Sequence, residues 1–307
     1  MKLRPFRLMV LGLSLLIPAA LCAVVLFLLV YSGQAIAFNG LHFLFQTNWN
    51  LGDLYGDPVV VRGVQVPPGA NYGILVFIAG TLLSSGLAIL IAVPLAIGAA
   101  IFLAEIVPAK IRPIPAMLVE LIAVVPSVVF GLWGIAVLIP LIGKYLSPDG
   151  NGYGLLAASI VLALMITPII ASTLLDALLQ VPKENRESAF ALGATHFEVV
   201  YKAMLPMVRT TLVGGIVLAL GRALGETMAV LMVSGGGLNM LPHSLFSPIS
   251  TIASFIAGQL DAAEGDPTNM SVRALSEIAL VLFVITLTVN ACAKLLSSGA
   301  LRVRKRA

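Results

Sequence analysis

Residues 187–206 read ESAFALGATHFEVVYKAMLP, and they lie between two long apolar stretches at about 153–178 and 210–233. Apolar stretches of this length are able to cross a lipid bilayer. The segment between them carries charged residues and helix-capping residues, which indicate a folded insert on one side of a membrane. A membrane protein with such an insert is expected to have a partner on that side.

Local signals divide this insert into two short helices. A helix is predicted over 183–191, with Gly193 as its natural stop. Thr195 and Glu198 have the Thr-x-x-Glu spacing of a capping box, which predicts a second short helix that Pro206 ends. The expected product is two short helices joined by a glycine corner.

The insert also contains apolar side chains that a merely solvated loop would not need. They are Phe190, Leu192, Phe197, Val199 and Val200. One hypothesis is a docking element that fits a groove in another protein. The alternative is a connector that lies on the membrane surface.

The composition of the whole chain indicates a multi-pass membrane protein. Of its 307 residues, 59% are hydrophobic and only 10% are charged, whereas soluble domains contain about 25% charged residues. Cys22 and Cys292 both lie in apolar runs and allow neither a disulfide framework nor a metal cluster, so we expect no metal site. Six stretches reach spanning length, at about 8–31, 74–103, 117–142, 153–178, 210–233 and 274–296.

The lysines and arginines predict the orientation. If the N-terminus is cytoplasmic, fourteen of the 18 fall on that side, three fall on the other side, and Arg222 lies within the membrane. The positive-inside rule then predicts that both termini are cytoplasmic, and it accounts for the net charge of +4 without a nucleic-acid partner.

With this orientation, the predicted external segments are 32–73, 143–152 and 234–273. An apolar stretch at 249–260 is too short to span and predicts a re-entrant or surface helix. The first apolar stretch is interpreted as a retained anchor and not as a removed signal.

Two charged residues fall inside the fifth predicted span. Arg222 lies near its middle, where a lone charge costs about 2.5–3.5 kcal/mol, and Glu226 follows one helical turn later on the same face. Two hypotheses remain open: an ion pair that fixes the packing of the helix, or an anion contact made by Arg222 and moderated by Glu226. Gly221 and Gly225 form a Gly-x-x-x-Gly pair, which favours close helix packing on the adjacent ridge.

The sequence contains no ATP site of its own. No lysine is followed by serine or threonine, which excludes a phosphate-binding loop that ends in Gly-Lys-Ser/Thr. Neither His-Glu-x-x-His nor Gly-x-Ser-x-Gly occurs, so we do not expect an enzyme. Any energy for transport must come from a partner.

The spacing within the insert resembles the Glu-Ala-Ala, x3, Gly, x9, Ile-x-Leu-Pro loop of binding-protein-dependent ABC importer permeases. The positions that match are Glu187, Ala189, Gly193, Leu205 and Pro206. Ser188 replaces the first alanine of that pattern, and Ala203 replaces the isoleucine. The resemblance implies that residues 182–206 are the coupling loop that binds the ATPase subunit.

Three further stretches resemble one particular group of these permeases. Residues 221–230 (GRALGETMAV), 47–50 (TNWN) and 126–134 (PSVVFGLWG) are similar to phosphate-specific ABC importer permeases of the PstC type, and the likeness runs over most of residues 40–295. It implies an all-α type I importer permease fold and a translocation role for Arg222 and Glu226.

The resemblance also implies a domain division and a set of partners. An N-terminal helix with an external loop (1–72) would precede a permease domain (73–297) and a basic cytoplasmic tail (298–307). The implied partners are a second, PstA-type permease, two PstB-type ATPase subunits that carry ATP-Mg, and a PstS-type phosphate-binding protein outside a bacterial or archaeal cytoplasmic membrane. This chain would bind no cofactor. The alternatives are an ABC permease for another oxyanion, such as sulfate or molybdate, and an ion-coupled carrier, for which no convincing internal repeat is visible.

Overall fold

The computed structural model describes residues 3–304, with side chains at position 7 and at positions 9–295. Lys2 and residues 305–307, which belong to the predicted cytoplasmic charge and the predicted basic tail, lie outside the described residues. In the described range the helices are α1 (Leu3–Asn39), α2 (Leu75–Ile101), α3 (Pro113–Val124), α4 (Ser127–Trp133), α5 (Ile139–Tyr145), α6 (Leu155–Leu179), α7 (Lys183–Ala191), α8 (His196–Glu198), α9 (Leu205–Leu224), α10 (Met228–Val233), α11 (Ile252–Glu264) and α12 (Met270–Arg304). A 3-10 helix covers Gly40–Phe45, and π-helical turns cover Phe102–Ile106, Gly134–Leu138 and Val199–Met204.

The described residues contain six helical segments that are long and apolar enough to cross a membrane. These segments are Met9–Phe45, Leu75–Ile106, Ser127–Tyr145, Leu155–Leu179, His196–Leu224 and Met270–Leu295. The predicted six-span helical fold class is confirmed. The predicted short helix at 249–260 is present as α11, which begins three residues later and extends four residues further.

The described chain divides into two compact units, and the first consists of the residues up to Leu75 together with Ile256–Val284. Short strands pair in it as two antiparallel ribbons, β1 (Trp49–Asn50) with β4 (Asn71–Tyr72), and β2 (Val59–Val61) with β3 (Val64–Val66). Arg62 and Gly63 form the tight turn between β2 and β3, with φ angles of 51° and 79°. Positive φ at both residues matches the twist of a two-residue hairpin.

Asp266 fixes the start of α12 within the first unit. Its side chain is buried, and its two carboxylate oxygens accept hydrogen bonds of 2.7–2.8 Å from the backbone N–H and the hydroxyl of both Thr268 and Ser271. Burial by itself raises the pKa of Asp266, but these four hydrogen bonds outweigh it, so that the pKa is lowered overall. Further along α12, the Glu277 carboxylate accepts a 2.6 Å hydrogen bond from Asn39 at the end of α1.

The second unit consists of Val76–Phe255 and the described residues from Ile285 onward, and its core is built around α6. Both α9 and α3 pack against α6, and α10 and α4 pack nearby. On α2, fully buried alanines recur at every fourth position (Ala88, Ala92 and Ala96), a spacing that lets neighbouring backbones approach closely. Small side chains on α2 thus allow a close approach to the larger buried residues of α6, such as Leu162, Met165 and Ile166.

The third predicted span is divided in the structure. The helix stops at Val124, and α4 begins at Ser127 after Pro126. A residue that precedes proline is disfavoured in the helical region, and Val125 accordingly has φ −59° and ψ 130°. Pro94 and Pro168, by contrast, remain inside α2 and α6.

The fifth predicted span is also divided, and here the sequence interpretation was wrong. Helix α9 ends at Leu224, and α10 starts at Met228, so that 225–227 form a break. Glu226 therefore does not continue the helix that carries Arg222. Non-helical backbone in a membrane segment is tolerated where it is buried in protein or faces a water-filled cavity.

Candidate functional site

The 182–206 loop begins as the sequence predicts. Helix α7 covers Lys183–Ala191, and Gly193 adopts φ +82°, a conformation that glycine reaches without strain. The Thr195–Glu198 capping box is present: the Thr195 N–H donates to Glu198 Oε2 over 3.0 Å, and the Glu198 N–H donates to Thr195 Oγ1 over 3.4 Å. Local sequence rules therefore suffice to place this glycine corner.

The second helix does not end at Pro206, which corrects the prediction. Helix α8 passes through the π-helical turn Val199–Met204 directly into α9, and Pro206 stands in the first turn of α9. At that position the missing N–H of proline is tolerated. The loop is thus continuous with the fifth membrane segment through unbroken helical structure.

The apolar side chains of the loop point in two directions. Phe190, Leu192 and Phe197 are 45%, 88% and 75% exposed, and we call these three residues the outer face of the loop. Val199 and Val200 are buried in a core cluster of the second unit. Of the five apolar residues singled out in the sequence, the first three therefore form an exposed surface. The other two attach the loop to the core.

The alanine and glycine positions of the family pattern lie around one depression. It has a volume of about 330 Å³, and its lining includes Ala189, Gly193 and Ala203 together with Glu198 and Lys202, whose charged groups are 2.8 Å apart. Glu187 and Ser188 are exposed on α7, and the Ser188 hydroxyl donates to the Glu184 carbonyl over 2.6 Å. Serine at the alanine position therefore leaves no unsatisfied group, because its hydroxyl bonds within its own helix.

A buried carboxylate that the sequence reasoning missed attaches this loop to the second membrane segment. Glu105 lies in the π-helical turn after α2, and its side chain is only 6% exposed. Arg186 of α7 donates to Glu105 Oε1 over 2.5 Å, and His196 Nε2 of α8 is 3.9 Å from Oε2. One acid thus contacts both short helices. The available signal was an acidic residue at the end of an apolar run, but its partner is 81 residues away.

Arg222 lies beside a cavity of about 810 Å³ within the second unit. The lining comes from Ile169 on α6, the 214–222 part of α9, and Thr286 and Asn290 on α12. Gly221 is close to α12, since a Cβ atom there would lie 3.6 Å from Asn290 Nδ2. Gly225 lies instead in the break after α9. The expectation that both glycines lie on one continuous helix is therefore wrong.

The hypothesis of an ion pair between Arg222 and Glu226 is not supported, because no ion pair joins these two residues in the part of the chain that the structure describes. The break at 225–227 explains this, because the two side chains no longer lie one turn apart on one helix. Glu226 Oε1 instead accepts a 3.4 Å hydrogen bond from the Ala229 N–H at the start of α10. Negative charge at a helix N-terminus is favourable.

Among the described residues, no group of three or more histidines, cysteines or acids is arranged to hold a metal ion. This region offers an arginine beside neutral polar groups in a cavity, and a two-helix loop that carries an exposed ion pair.

This chain has six membrane-length segments and a two-helix loop that leads into the fifth, which is the architecture of ABC importer permeases. A solved structure described as "a bacterial ABC transporter involved in the import of the acidic polysaccharide alginate" shares this fold. The TM-score is 0.53, with 92% of this chain and 96% of that chain covered at 17% identity. At this identity the likeness concerns the fold alone.

The chain belongs to the family of binding-protein-dependent transport system inner membrane components, which it matches over residues 92–299. The phosphate transport system permease protein PstC 1 of Mycobacterium tuberculosis is 45% identical over 278 residues, which cover 85% of this chain and 82% of that protein. The phosphate transport system permease protein PstC of Pasteurella multocida is 38% identical over 304 residues, with 93% and 88% covered. The family resemblance seen in the sequence is confirmed, and the protein is a multi-pass membrane permease.

Proposed function

We propose that this chain is the permease subunit of an ATP-driven phosphate importer and forms half of its translocation pathway. The observation that carries the proposal is the 45% identity, across 85% of the chain, to a protein named as a phosphate transport system permease. Arg222 beside a membrane-embedded cavity supports it, because a guanidinium group matches phosphate oxygens with paired donors.

The energy for transport would come from two separate ATPase subunits that bind ATP-Mg. Their docking site on this chain is the 182–206 loop, whose outer face (Phe190, Leu192 and Phe197) is exposed. The core partners of Val199 and Val200, together with the Glu105–Arg186 ion pair, would carry movement of the docked loop to the membrane segments. A second, similar permease would complete the pathway, and an external binding protein would deliver phosphate.

Arg222 would contact the anion only in transit. Within the described residues its charge is not paired with an acid, so it is able to offset the desolvation of a passing anion. Glu226, at the nearby break, would oppose long retention of a negative ion. Binding that is favourable enough to admit the anion and weak enough to release it suits a transport site better than a storage site.

The test is phosphate uptake by proteoliposomes that contain both permeases and the ATPase subunits, with binding protein and ATP supplied. We expect ATP-dependent uptake by the native complex and its loss in Arg222→Gln, with the variant still assembled in the membrane. Arg209→Gln is the matched control, because Arg209 lies on the same helix but does not line the cavity.

Two results would contradict the proposal. The first is uptake that does not depend on the ATPase subunits, which would indicate an ion-coupled carrier. The second is ATP-dependent uptake of sulfate or molybdate in preference to phosphate. Normal phosphate uptake by Arg222→Gln would remove the arginine from the mechanism but leave the substrate unchanged.

A further inference from the structure

The cavity beside Arg222 has a second polar wall, on α12. Thr286 and Asn290 are four residues apart on this helix, so their side chains lie on one face. Apart from these two and Arg222, the described lining is apolar or glycine: Ile169, Gly214, Val217, Leu218 and Gly221. The polar groups of two different helices thus meet around one space.

Asn290 has an unmet hydrogen-bonding group at this place. Its Oδ1 is buried and receives no hydrogen bond from any described protein group. Buried side-chain acceptors nearly always have a donor, so an unsatisfied one indicates a missing partner. A Cβ atom at position 221 would lie 3.6 Å from Nδ2 and 3.8 Å from Oδ1, so the whole carboxamide faces the glycine that precedes Arg222.

The carboxamide oxygen is the atom of Asn290 that lacks a partner here, and an amide oxygen is only an acceptor. A ligand that fits this wall and Arg222 together must carry negative oxygens for the guanidinium group. It must also carry a hydroxyl hydrogen for the amide oxygen.

We propose that Asn290 is a specificity-determining residue that accepts a hydrogen bond from the P–OH group of protonated phosphate while Arg222 binds the unprotonated oxygens. Orthophosphate keeps at least one proton at neutral pH, and arsenate does the same, whereas sulfate and molybdate keep none. A site that uses a neutral acceptor for an O–H group rejects an isostere without that group, because the acceptor then stays buried and unpaired. Thr286, whose hydroxyl both donates and accepts, supplies a second contact.

This inference rests on the proposed function, and protection of an engineered cysteine tests it separately. The complete complex is prepared with Cys22→Ser and Cys292→Ser, and Thr286→Cys places one thiol in the cavity. The rate of its alkylation by neutral N-ethylmaleimide is measured with phosphate, arsenate or sulfate at equal ionic strength, in the absence of binding protein. Leu287→Cys is the control, because Leu287 is exposed on the same helix and does not line the cavity.

We expect phosphate and arsenate, but not sulfate, to slow the alkylation of the Thr286→Cys variant, and we expect none of the three anions to slow that of Leu287→Cys. Adding Asn290→Leu should weaken protection by phosphate about tenfold, the worth of roughly one hydrogen bond. Asn290→Ala should do the same, which keeps the test valid if the leucine variant fails to assemble.

Equal protection by sulfate, or undiminished protection by phosphate in both Asn290 variants, would overturn the inference. Neither result affects the proposed function, which depends on ATP-dependent phosphate uptake by the native complex. If the native complex shows no ATP-dependent phosphate uptake but phosphate still protects Thr286→Cys, the result contradicts the proposed function and not the binding site.

Discussion

At the scale of single residues, Asp266 shows how one carboxylate fixes the entry of a membrane helix. It satisfies the N–H groups of Thr268 and Ser271 on either side of Met270, where α12 begins. The first N–H groups of a helix have no partner inside the helix, and in a mostly apolar region each unsatisfied group is costly. Asp266 thus supplies a partner for the Ser271 N–H in the first turn of the last span.

Replacing Asp266 with asparagine should therefore destabilise the protein in a pH-dependent way. Loss of the charged acceptor should cost about 1–3 kcal/mol. The pKa of Asp266 is lower in the folded protein than in the unfolded chain, where it is about 3.9. The stabilisation by its charge is therefore fully present above the unfolded-state pKa, and it is lost as the pH falls through the folded-state pKa. The native protein and Asp266→Asn should thus differ in thermal unfolding at pH 7 and converge on acidification.

Thermal unfolding of the detergent-solubilised complex between pH 7 and pH 3 measures this difference. Asp261→Asn is the control, because Asp261 is exposed on α11. A gap between native protein and Asp266→Asn that stays constant with pH would show that the asparagine acts by shape and not by charge.

At the scale of elements, α7 and α8 are held on their inner side by Glu105 and left open on their outer face. Charges that are buried and paired are costly to separate, whereas an exposed i, i+4 pair such as Glu198–Lys202 contributes little to stability because solvent screens it. The internal attachment is thus firmer than the loop's own surface pairing.

Glu105→Gln should uncouple the ATPase subunits from transport. The variant keeps the shape of the side chain but leaves Arg186 without its counter-charge. We therefore expect ATP hydrolysis to continue while phosphate uptake per ATP falls about tenfold. That fall corresponds to a loss of roughly 1.4 kcal/mol of coupling free energy. Lys202→Gln is the matched control, since it removes an exposed ion pair in the same loop. Parallel loss of hydrolysis and uptake in Glu105→Gln would mean that the pair only stabilises the fold.

Phe197→Ser should weaken docking without disturbing the permease itself. Phe197 is 75% exposed and stacks on Tyr201, with ring centroids 5.9 Å apart, so its removal leaves no cavity in the core. If it is an aromatic anchor of the ATPase interface, its loss should cost at least about 2 kcal/mol, or roughly a thirtyfold lower affinity.

Co-purification at limiting ATPase concentration measures this affinity. Leu41→Ser, in the 3-10 helix after α1 and 80% exposed, is the control for removal of an exposed apolar side chain. Unchanged binding by Phe197→Ser would favour the alternative hypothesis that the loop lies on the membrane surface.

At the scale of the whole molecule, the features that follow from local patterns could be predicted from the sequence. The six spans follow from long apolar runs, and the boundaries of α7 and the Thr195 cap follow from turn chemistry within a few residues. The family was recognisable because the loop pattern and residues 221–230 keep their spacing in this chain.

The features that the sequence did not predict depend on distant contacts or on competition within one segment. Glu105 and Arg186 meet across 81 residues, so neither position alone predicts the other. Gly225 fits a Gly-x-x-x-Gly packing pattern with Gly221 as well as a helix break, and tertiary structure decides between the two. Asn290 is a single polar residue in an apolar helix, and only the position of Gly221 and Arg222 relative to it indicates a role.

The interruption at 225–227 has a mechanical consequence. An unbroken helix resists sharp bending because bending strains its hydrogen-bond ladder, but here the ladder already stops at Leu224 and resumes at Met228. A bend between α9 and α10 at this point therefore costs few main-chain hydrogen bonds, as at a hinge. Arg222 stands immediately before this break, so a displacement that travels along α9 reaches the arginine before it reaches α10.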